Sequence, residues 1–360
     1  MTRALALLAV LIFASAPLHA RAPAPLPGAE GRVALGMHVD VLEDETGVLE
    51  FEDVRKPEHA ARFAPAQSDP LNFGYTRSAW WLRFVLPGGA PPDEELLLEV
   101  AFPSIDRIDL HVPEAQPGGE PRYWVRIAGD TLAWDAREVR HRNHVFRIPA
   151  PTAAGEHTYY MRVVSRGVLT VPVALWRPGV FAEHDRNAQL VLGLFYGLAL
   201  ALVLYNLMLL FAVRDRVYLY YVLYAAAFCT YLLSFDGLGF QYLWPRSVWA
   251  ANHVLALALS LTLMLGAQFS RTFLEMRRIA PRSDRAMAGV VAAGALLALF
   301  SATGWVLDYG GVLRVISVIG FAAAALATYA GVRALVLGYR PARYFLLAWA
   351  ALLGFIALGA

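Results

Sequence analysis

The sequence contains one cysteine, Cys229, and one lysine, Lys56, among its 360 residues. A single cysteine excludes an intrachain disulfide and any metal site built from several cysteines. Cys229 lies in an apolar run, where a small buried hydrophobic side chain is its expected role. Because Lys56 lies outside the long apolar segments, those segments offer no amine for a Schiff base to a retinal-type chromophore.

Charge is also scarce, since 17% of the residues are charged and 58% are hydrophobic. Soluble domains are about 45–50% apolar, so part of this chain is expected to lie in a membrane. Most of the charge precedes Asn187, and apolar runs dominate from there to Ala360. The chain therefore divides into a soluble half and a membrane half. A net charge of +2 without a basic block predicts no nucleic-acid partner.

Motifs for catalysis and for bound cofactors are missing as well. The sequence has no glycine loop that would cradle a phosphate and no Ser/His/Asp order typical of a triad. His141 and His144 have a spacing that metal ligands use, but zinc needs three or four ligands, so a solvated loop is predicted there. We therefore predict no enzyme, metal site or cofactor within this chain.

The N-terminal residues MTRALALLAVLIFASAPLHA have the pattern of a secretory signal peptide. Arg3 gives a positive start, an apolar stretch over 4–14 follows, and small residues occupy 16–20. The apolar stretch is too short to span a bilayer. We predict cleavage after Ala20 and export of the following domain, with an uncleaved anchor as the alternative.

Short strand-like runs separated by proline- and glycine-rich turns fill residues 21–182. Their number and spacing, without a convincing amphipathic helix between them, favour an antiparallel β-sandwich of the jelly-roll type. The predicted strands are Arg32–Val41, Ala79–Pro87, Glu94–Phe102, Arg107–Val112, Tyr123–Ile127, His144–Ile148, Thr158–Val164 and Thr170–Trp176.

The strand AWWLRFVLP over 79–87 predicts the candidate binding face. Successive side chains of a strand point to opposite faces, so Trp80, Leu82, Phe84 and Leu86 form a core stripe, while Trp81 and Arg83 face away. An aromatic ring beside a guanidinium suits a sugar ring or a small carboxylate. The alternative is that Trp81 and Arg83 form a purely structural pair. The full predicted ligand-binding set is Trp81, Arg83, Arg107, Asp109, His111, Trp124 and Arg126.

Residues 183–360 contain six long apolar segments, with lengths near the 20 or so residues that cross a hydrocarbon core. The predicted segments are Asn187–Val213, Val217–Phe235, Ala250–Phe269, Ala286–Leu307, Val315–Val332 and Tyr344–Ala360. Their centres hold no charged residue, which argues against a transporter or channel. Asn206 is the notable polar residue among them, and we expect it to pack through an interhelical hydrogen bond, with a signalling role as the alternative.

Arginine counts in the connecting loops predict the orientation of the segments. The first, third and fifth loops carry ten arginines, and the second and fourth carry two, Arg246 and Arg314. The arginine-rich side is expected to be cytoplasmic. The β-rich half then lies outside, in agreement with the signal peptide.

Several stretches resemble a family of bacterial seven-transmembrane receptors with diverse intracellular signalling modules. In the β-rich half they are VLEDETGVLEFEDV (41–54), AWWLRFVL (79–86), TYYMRVVSRG (158–167) and VPVALW (171–176). In the membrane half they are YGLALALVLYNLMLLFAVRDRVYLYYVLY (196–224), DGLGFQYLWP (236–245) and FSRTFLEM (269–276). They occur in the family's order along almost the whole chain.

The resemblance implies a jelly-roll ectodomain similar to carbohydrate-binding modules, then seven helices and a cytoplasmic output such as a histidine kinase, a diguanylate cyclase or a phosphatase. The sequence departs from that pattern because it stops in the sixth segment. A fragment of a longer receptor is the favoured interpretation, and action through a separate partner is the alternative.

We therefore predict a sensory receptor of a bacterial inner membrane with its ectodomain in the periplasm. Its expected partners are a small periplasmic ligand, a cytoplasmic signalling module or partner, membrane lipid and a second copy in a homodimer. The alternatives are a transporter or channel and a protein-binding assembly module of the envelope.

Overall fold

The computed structural model describes residues 22–91, 94–114, 116, 119–303 and 309–359. The predicted signal peptide lies outside the described residues. The first part consists of short strands: β1 Arg32–Ala34, β2 Asp40–Asp44, β3 Ala64–Pro65, β4 Leu71–Tyr75, β5 Ala79–Pro87, β6 Glu95–Val100, β7 Arg107–Glu114, β8 Arg122–Ala128, β9 His144–Pro149, β10 Glu156–Val164, β11 Val168–Val171 and β12 Val173–Trp176.

These strands form an antiparallel sandwich, as predicted. One sheet has the order β1-β12-β6-β9, the second has the order β3-β2-β5-β10-β7-β8, and β11 pairs with β4 in a small third sheet. The main core lies between the two large sheets and is built from alternate residues of their strands. Leu82, Phe84 and Leu86 of β5 are each at most 1% exposed there, so the predicted core stripe is confirmed. Each such side chain stabilises the fold by about 1.5–3 kcal/mol.

The outer face of the six-stranded sheet is covered by two short helices, α1 (Phe51–Arg55) and α2 (Pro57–Ala60). A capping box begins α1, because the Glu50 side chain and the Asp53 side chain each bond the other's backbone N–H. The segment carries Val54 and Phe63 onto Trp81 of the sheet and forms a second, smaller core. The sequence shows no convincing amphipathic helix here, since helices of five and four residues are too short to show periodicity.

Long helices follow the last strand: α3 Pro178–Val213, α4 Arg216–Phe235, α5 Val248–Phe273, the short α6 Met276–Ile279, α7 Pro281–Thr303, α8 Tyr309–Val336 and α9 Ala342–Gly359. Among the described residues, five of them (α3, α4, α5, α7 and α8) are long and apolar enough to cross a membrane. The sixth predicted segment corresponds to α9. Only Arg177 separates β12 from α3, and Phe181 of α3 packs on Trp176.

The sandwich rests on one end of the helices. The Asn252 amide, at the start of α5, donates to the Asp130 carbonyl at 3.1 Å and accepts from Arg166 at 2.7 Å. Arg314 of α8 donates to the Tyr75 carbonyl at 3.3 Å. The sandwich therefore lies beside the two arginine-poor loops, as the orientation prediction requires. The arginine-rich loops lie at the opposite ends of the helices.

The Asn206 amide has one partner within its own helix. It donates to the carbonyl of Leu202 at 2.9 Å, four residues earlier in α3. An amide has two N–H donors and an acceptor oxygen, so the interhelical hydrogen bond stays a prediction.

Candidate ligand-binding cleft

A cleft of about 510 Å³ opens on the outer face of the six-stranded sheet. The segment 47–51, between β2 and α1, forms one wall, and side chains of β5, β7, β8 and β10 complete the cleft. The residues from these strands are Trp81, Arg107, Asp109, His111, Val125 and Arg162. Four of the seven residues predicted to bind a ligand therefore line one cleft.

The register of the sheet explains why these residues meet. Arg162 of β10 lies between Trp81 of β5 and Asp109 of β7 in one row across the strands. Side chains in such a row point to the same face, and neighbouring strands lie about 4.8 Å apart. His111 occupies the next row, two residues further along β7.

Asp109 lies between two guanidinium groups. It accepts from Arg107 Nε at 2.8 Å, and one of its oxygens lies 3.9 Å from Arg162. Arg162 also donates to the carbonyl of Gly47 at 3.0 Å and so fixes the loop that forms the wall. With Glu50 at the same wall, positive and negative charges in the cleft nearly balance.

Three buried polar atoms at this cleft have no hydrogen-bond partner: Trp81 Nε1, His111 Nδ1 and Arg162 Nε. Leaving a buried donor or acceptor unpaired costs about 1–3 kcal/mol, and native proteins contain few such groups. All three atoms belong to residues that line this one cleft.

His111 is held neutral. Burial lowers the pKa of its imidazole to about 4, against the opposing attraction of Asp109. At neutral pH one ring nitrogen donates and the other accepts. The ring stacks on Phe51 with centroids 4.0 Å apart, which gives the cleft an apolar side.

Trp81 and Arg83 do not form the open pair that the alternation suggested. Trp81 is 1% exposed and belongs to the second core, so the expectation of an exposed aromatic platform was wrong. Arg83 does not line the cleft. Its guanidinium bonds Asp40 at 2.9 Å and lies 4.5 Å from the Phe63 ring, where it holds the covering segment on the sheet.

Trp124 and Arg126 lie on the opposite face of β8, so the expectation that they join Trp81 was also wrong. The register pairs Trp124 with Val112 and Arg126 with Leu110, whereas Val125 pairs with His111. Cross-strand partners share a face, and spacing along the sequence does not reveal the register between strands. Trp124 and Arg126 line a separate groove of about 560 Å³.

His141 and His144 are buried, in contrast to the predicted solvated loop. His141 Nε2 lies 2.9 Å from Asp185 of α3, and His144 Nε2 lies 3.2 Å from the carbonyl of Pro103. The start of α3 covers the loop, and this tertiary contact has no signal in the loop's own sequence.

The sequence did not predict the other lining residues, which are those of the segment 47–51, Val125 and Arg162. Arg162 alternates with the core residues Met161 and Val163, so its outward face could have been read from β10. Phe51 lies between the first two predicted strands and carries no local signal for its contact with His111.

The sandwich, its cleft and the apolar helices define a multi-pass membrane protein with a folded domain outside the bilayer. Two family models match in tandem: the 7TMR-DISM extracellular 2 model over residues 36–177 and the 7TM diverse intracellular signalling model over residues 188–360. The chain belongs to the family of seven-transmembrane receptors with diverse intracellular signalling modules, as the resemblance indicated.

Solved structures show weaker likenesses. One is a carbohydrate-binding module of the β-sandwich superfamily, with 10% identity and a TM-score of 0.20, over 42% of this chain and 57% of that one. Another is the GH31 α-xylosidase of Xanthomonas citri, with 11% identity and a TM-score of 0.17, over 41% of this chain and 17% of that one. The match thus spans less than two thirds of either structure, and neither says what the cleft binds. No curated protein matches the chain.

Proposed function

We propose that the chain is a sensory receptor of a bacterial inner membrane whose periplasmic cleft binds a small ligand, either a saccharide or an organic acid. The observation that carries the proposal is the convergence of three unpartnered buried polar atoms on one cleft. Binding is passed through the helices to a cytoplasmic output module or partner. A homodimer in contact with membrane lipid is the proposed working form.

The loop charges support the periplasmic side. Ten arginines lie in the loops away from the sandwich, and two lie in the loops beside it. Positively charged loops are retained in the cytoplasm. The contacts of Asn252 and Arg314 with the sandwich fall on the arginine-poor side.

The chemistry of the cleft supports a ligand rich in oxygen. The indole N–H of Trp81 and the Nε–H of Arg162 are donors only, so they need acceptors, which hydroxyl and carboxylate groups supply. The Phe51 ring offers an apolar surface for the carbon face of a small molecule. A volume of about 510 Å³ suits such a ligand.

A short route connects the cleft with the helices. Arg162 lies on β10, and Arg166 follows that strand closely and contacts both Asp106 and Asn252 of α5. A ligand shifts a receptor between two states only through different affinity for those states. Closure of the cleft around Arg162 would change the position of Arg166 on the helix.

Replacing Trp81 with phenylalanine tests the cleft directly. The change removes the Nε1 donor and keeps an aromatic ring, so we expect ligand affinity to fall about tenfold, the loss of one hydrogen bond. Thermal shift of the full chain in detergent against sugars and organic acids identifies the ligand, and calorimetry then measures the affinity.

Trp80→Phe is the matched control for this substitution. Its Nε1 is likewise buried without a partner, but its ring stacks on Phe73 at 3.8 Å and packs against the main core. Equal losses in the two variants would mean that the donor at the cleft does not touch the ligand.

Arg107→Ala separates the two ligand classes. The Arg107 side chain is 51% exposed, so its loss empties no core site, and Arg162 remains near Asp109 at 3.9 Å. We expect affinity for carboxylates to fall about tenfold or more, because bonds to charged groups contribute about 1.5–3 kcal/mol, and affinity for neutral sugars to fall much less. Arg147→Ala, with a 55% exposed side chain on the other sheet, is the control. Unchanged affinity for every bound ligand would remove Arg107 from the site.

A protein-binding role is the second candidate, favoured by the edge strand β8. Trp124, Val125 and Ile127 are 47%, 51% and 42% exposed there. An exposed apolar edge strand is a surface that proteins use for pairing. Cross-linking in the native envelope tests it, and a partner captured through β8 in the absence of any small-molecule ligand would favour this role.

A further inference from the structure

A buried cluster of titratable side chains lies where the sandwich meets the helices, away from the cleft. Asp130, Arg137 and His144 are 8%, 8% and 1% exposed. Asp130 follows β8, and Arg137 follows the 3₁₀ turn Trp134–Ala136. Charged groups are rarely buried so far unless they are paired or serve a function.

Asp130 touches the membrane helices through its own backbone. Its carbonyl accepts from the Asn252 amide of α5, and the oxygen of that amide accepts from Arg166. Arg166 in turn bonds Asp106 at 3.0 Å. Any movement of the Asp130 loop therefore acts on the first turn of α5.

Arg137 touches the helices from the other side of the cluster. Its guanidinium lies 4.6 Å from the Trp134 ring and 5.3 Å from the ring of Phe240. Phe240 belongs to the π-helical turn Gly239–Leu243, which lies between α4 and α5. Arg137 thus contacts the connection between these two helices, and the Asp130 backbone contacts α5 itself.

The carboxyl of Asp130 is poorly compensated. Its Oδ1 atom is buried without a hydrogen-bond partner, as are Nε of Arg137 and Nδ1 of His144. The charged groups that act on it are Asp106, which repels a negative charge, and Arg166 and Arg137, which favour one. From α5 the facing group is the neutral amide of Asn252.

We propose that Asp130 is a proton-binding site through which this receptor senses external acidity, in addition to the ligand of its cleft. Because Oδ1 accepts no hydrogen bond in the closed junction, where the sandwich packs against the helices, protonation breaks none. The proton comes from solvent, and no other bond is made or broken. In the closed junction a neutral carboxyl costs little free energy to bury. A carboxylate is stabilised by water, so it favours an open, hydrated junction. Acid therefore favours the closed junction and alkali favours the open one.

The direction of the pKa shift agrees with this geometry. Burial is the largest cause that raises the pKa of Asp130 from 3.8 to about 7, and Asp106 adds to it. Between these two values the closed junction holds a proton that an opened, hydrated carboxyl releases. The closed junction and the folded domain therefore lose stability as pH rises from about 4 to about 7, and the loss levels off above that.

Hydrogen exchange of the full chain in lipid nanodiscs, without ligand, tests the proposal. We expect opening of the segments 129–143 and 236–244, corrected for intrinsic exchange, to increase about tenfold from pH 6 to pH 8. Asp130→Asn should hold both segments closed at either pH. Asp135→Asn, an exposed acid in the same region with a 74% exposed side chain, should behave as the wild type.

Equal pH dependence in the wild type and in Asp130→Asn would overturn the proposal, and so would a response confined to 129–143 without 236–244. If Asp130→Asn does not fold, the infrared spectrum of the wild type with labelled aspartate decides. A buried carboxylic acid band that grows from pH 8 to pH 6 supports the site, and its absence overturns it. The test is independent of the cleft, because neither ligand nor cleft residue takes part.

Discussion

Trp81→Ala is expected to lower the free energy of unfolding of the ectodomain by about 3–5 kcal/mol, the usual cost of emptying a buried aromatic site. The ring is 1% exposed and joins Leu42, Val54, Phe63 and Tyr160 in the second core. Its loss releases the segment that forms the wall of the cleft. Urea unfolding of the purified chain measures the change, and ligand binding is expected to disappear with the fold.

Trp124→Ala is the matched control, because it removes the same side chain from a position that is 47% exposed. Surface substitutions usually change stability by about 0.5 kcal/mol or less, and we expect a loss of no more than about 1 kcal/mol here. If the two alanine variants unfold at the same urea concentration, Trp81 is not part of a core. The contrast with Trp81→Phe then separates loss of the fold from loss of one donor.

Arg137→Met is expected to destabilise the junction by about 3–5 kcal/mol. The change leaves buried loop carbonyls without their donor, and it removes a positive charge that favours the buried Asp130 carboxylate. One guanidinium nitrogen of Arg137 donates to the carbonyls of His141, Arg142 and Asn143 at 2.7, 3.1 and 3.2 Å. Burial lowers the pKa of Arg137 to about 10, so the group stays charged at neutral pH. Thermal unfolding in detergent at pH 8, where Asp130 is largely ionised, measures the loss.

A double variant shows whether the loss comes from charge. Adding Asp130→Asn to Arg137→Met removes the stranded carboxylate, and we expect part of the stability to return, a coupling that a double-mutant cycle measures. Arg140→Met, with a side chain that is 76% exposed, should change little. A double variant as unstable as the sum of its two singles would show that Arg137 acts only through its bonds to the loop carbonyls.

Strand positions and their faces were predictable, because the alternation of a strand is a local property. The strand over 79–87 was predicted with the bounds that the structure shows, and Arg107, Asp109 and His111 share the predicted outer side of β7. Register is not local. Trp124 was placed beside His111 from its residue type, whereas the pairing of β7 with β8 gives that place to Val125.

The sequence pattern also could not show which side chains are covered by segments that are distant along the chain. From strand alternation alone, Trp81 is predicted to be an exposed ring on an outward face. In the structure α1, α2 and Phe63 cover it. His141 is likewise predicted to lie in a solvated loop. In the structure the start of α3 covers it and places Asp185 2.9 Å from its ring. In each case the covering segment is distant in sequence from the residue that it covers, so the local pattern around Trp81 or His141 could not show the contact.

Five of the six predicted membrane segments correspond to described helices that are long and apolar enough to cross a membrane, because hydropathy is summed over many residues. The ends of the segments were less predictable, and α3 begins nine residues before the predicted segment. Polar residues such as Glu183 and Asp185 lowered the hydropathy there, although the backbone is already helical. The helix extends beyond the membrane because its first turns pack against Trp176 of the sandwich.

The direct passage from β12 into α3 makes the sandwich and this helix one mechanical piece. A helix of 36 residues is about 54 Å long, against a hydrocarbon core of about 30 Å. A rigid rod of that length is a lever: a tilt of about 5° at its outer end displaces the inner end by about 5 Å, close to the pitch of one helical turn. Small tilts of the sandwich thus become larger displacements at the far end of α3, because only Arg177 separates β12 from this helix.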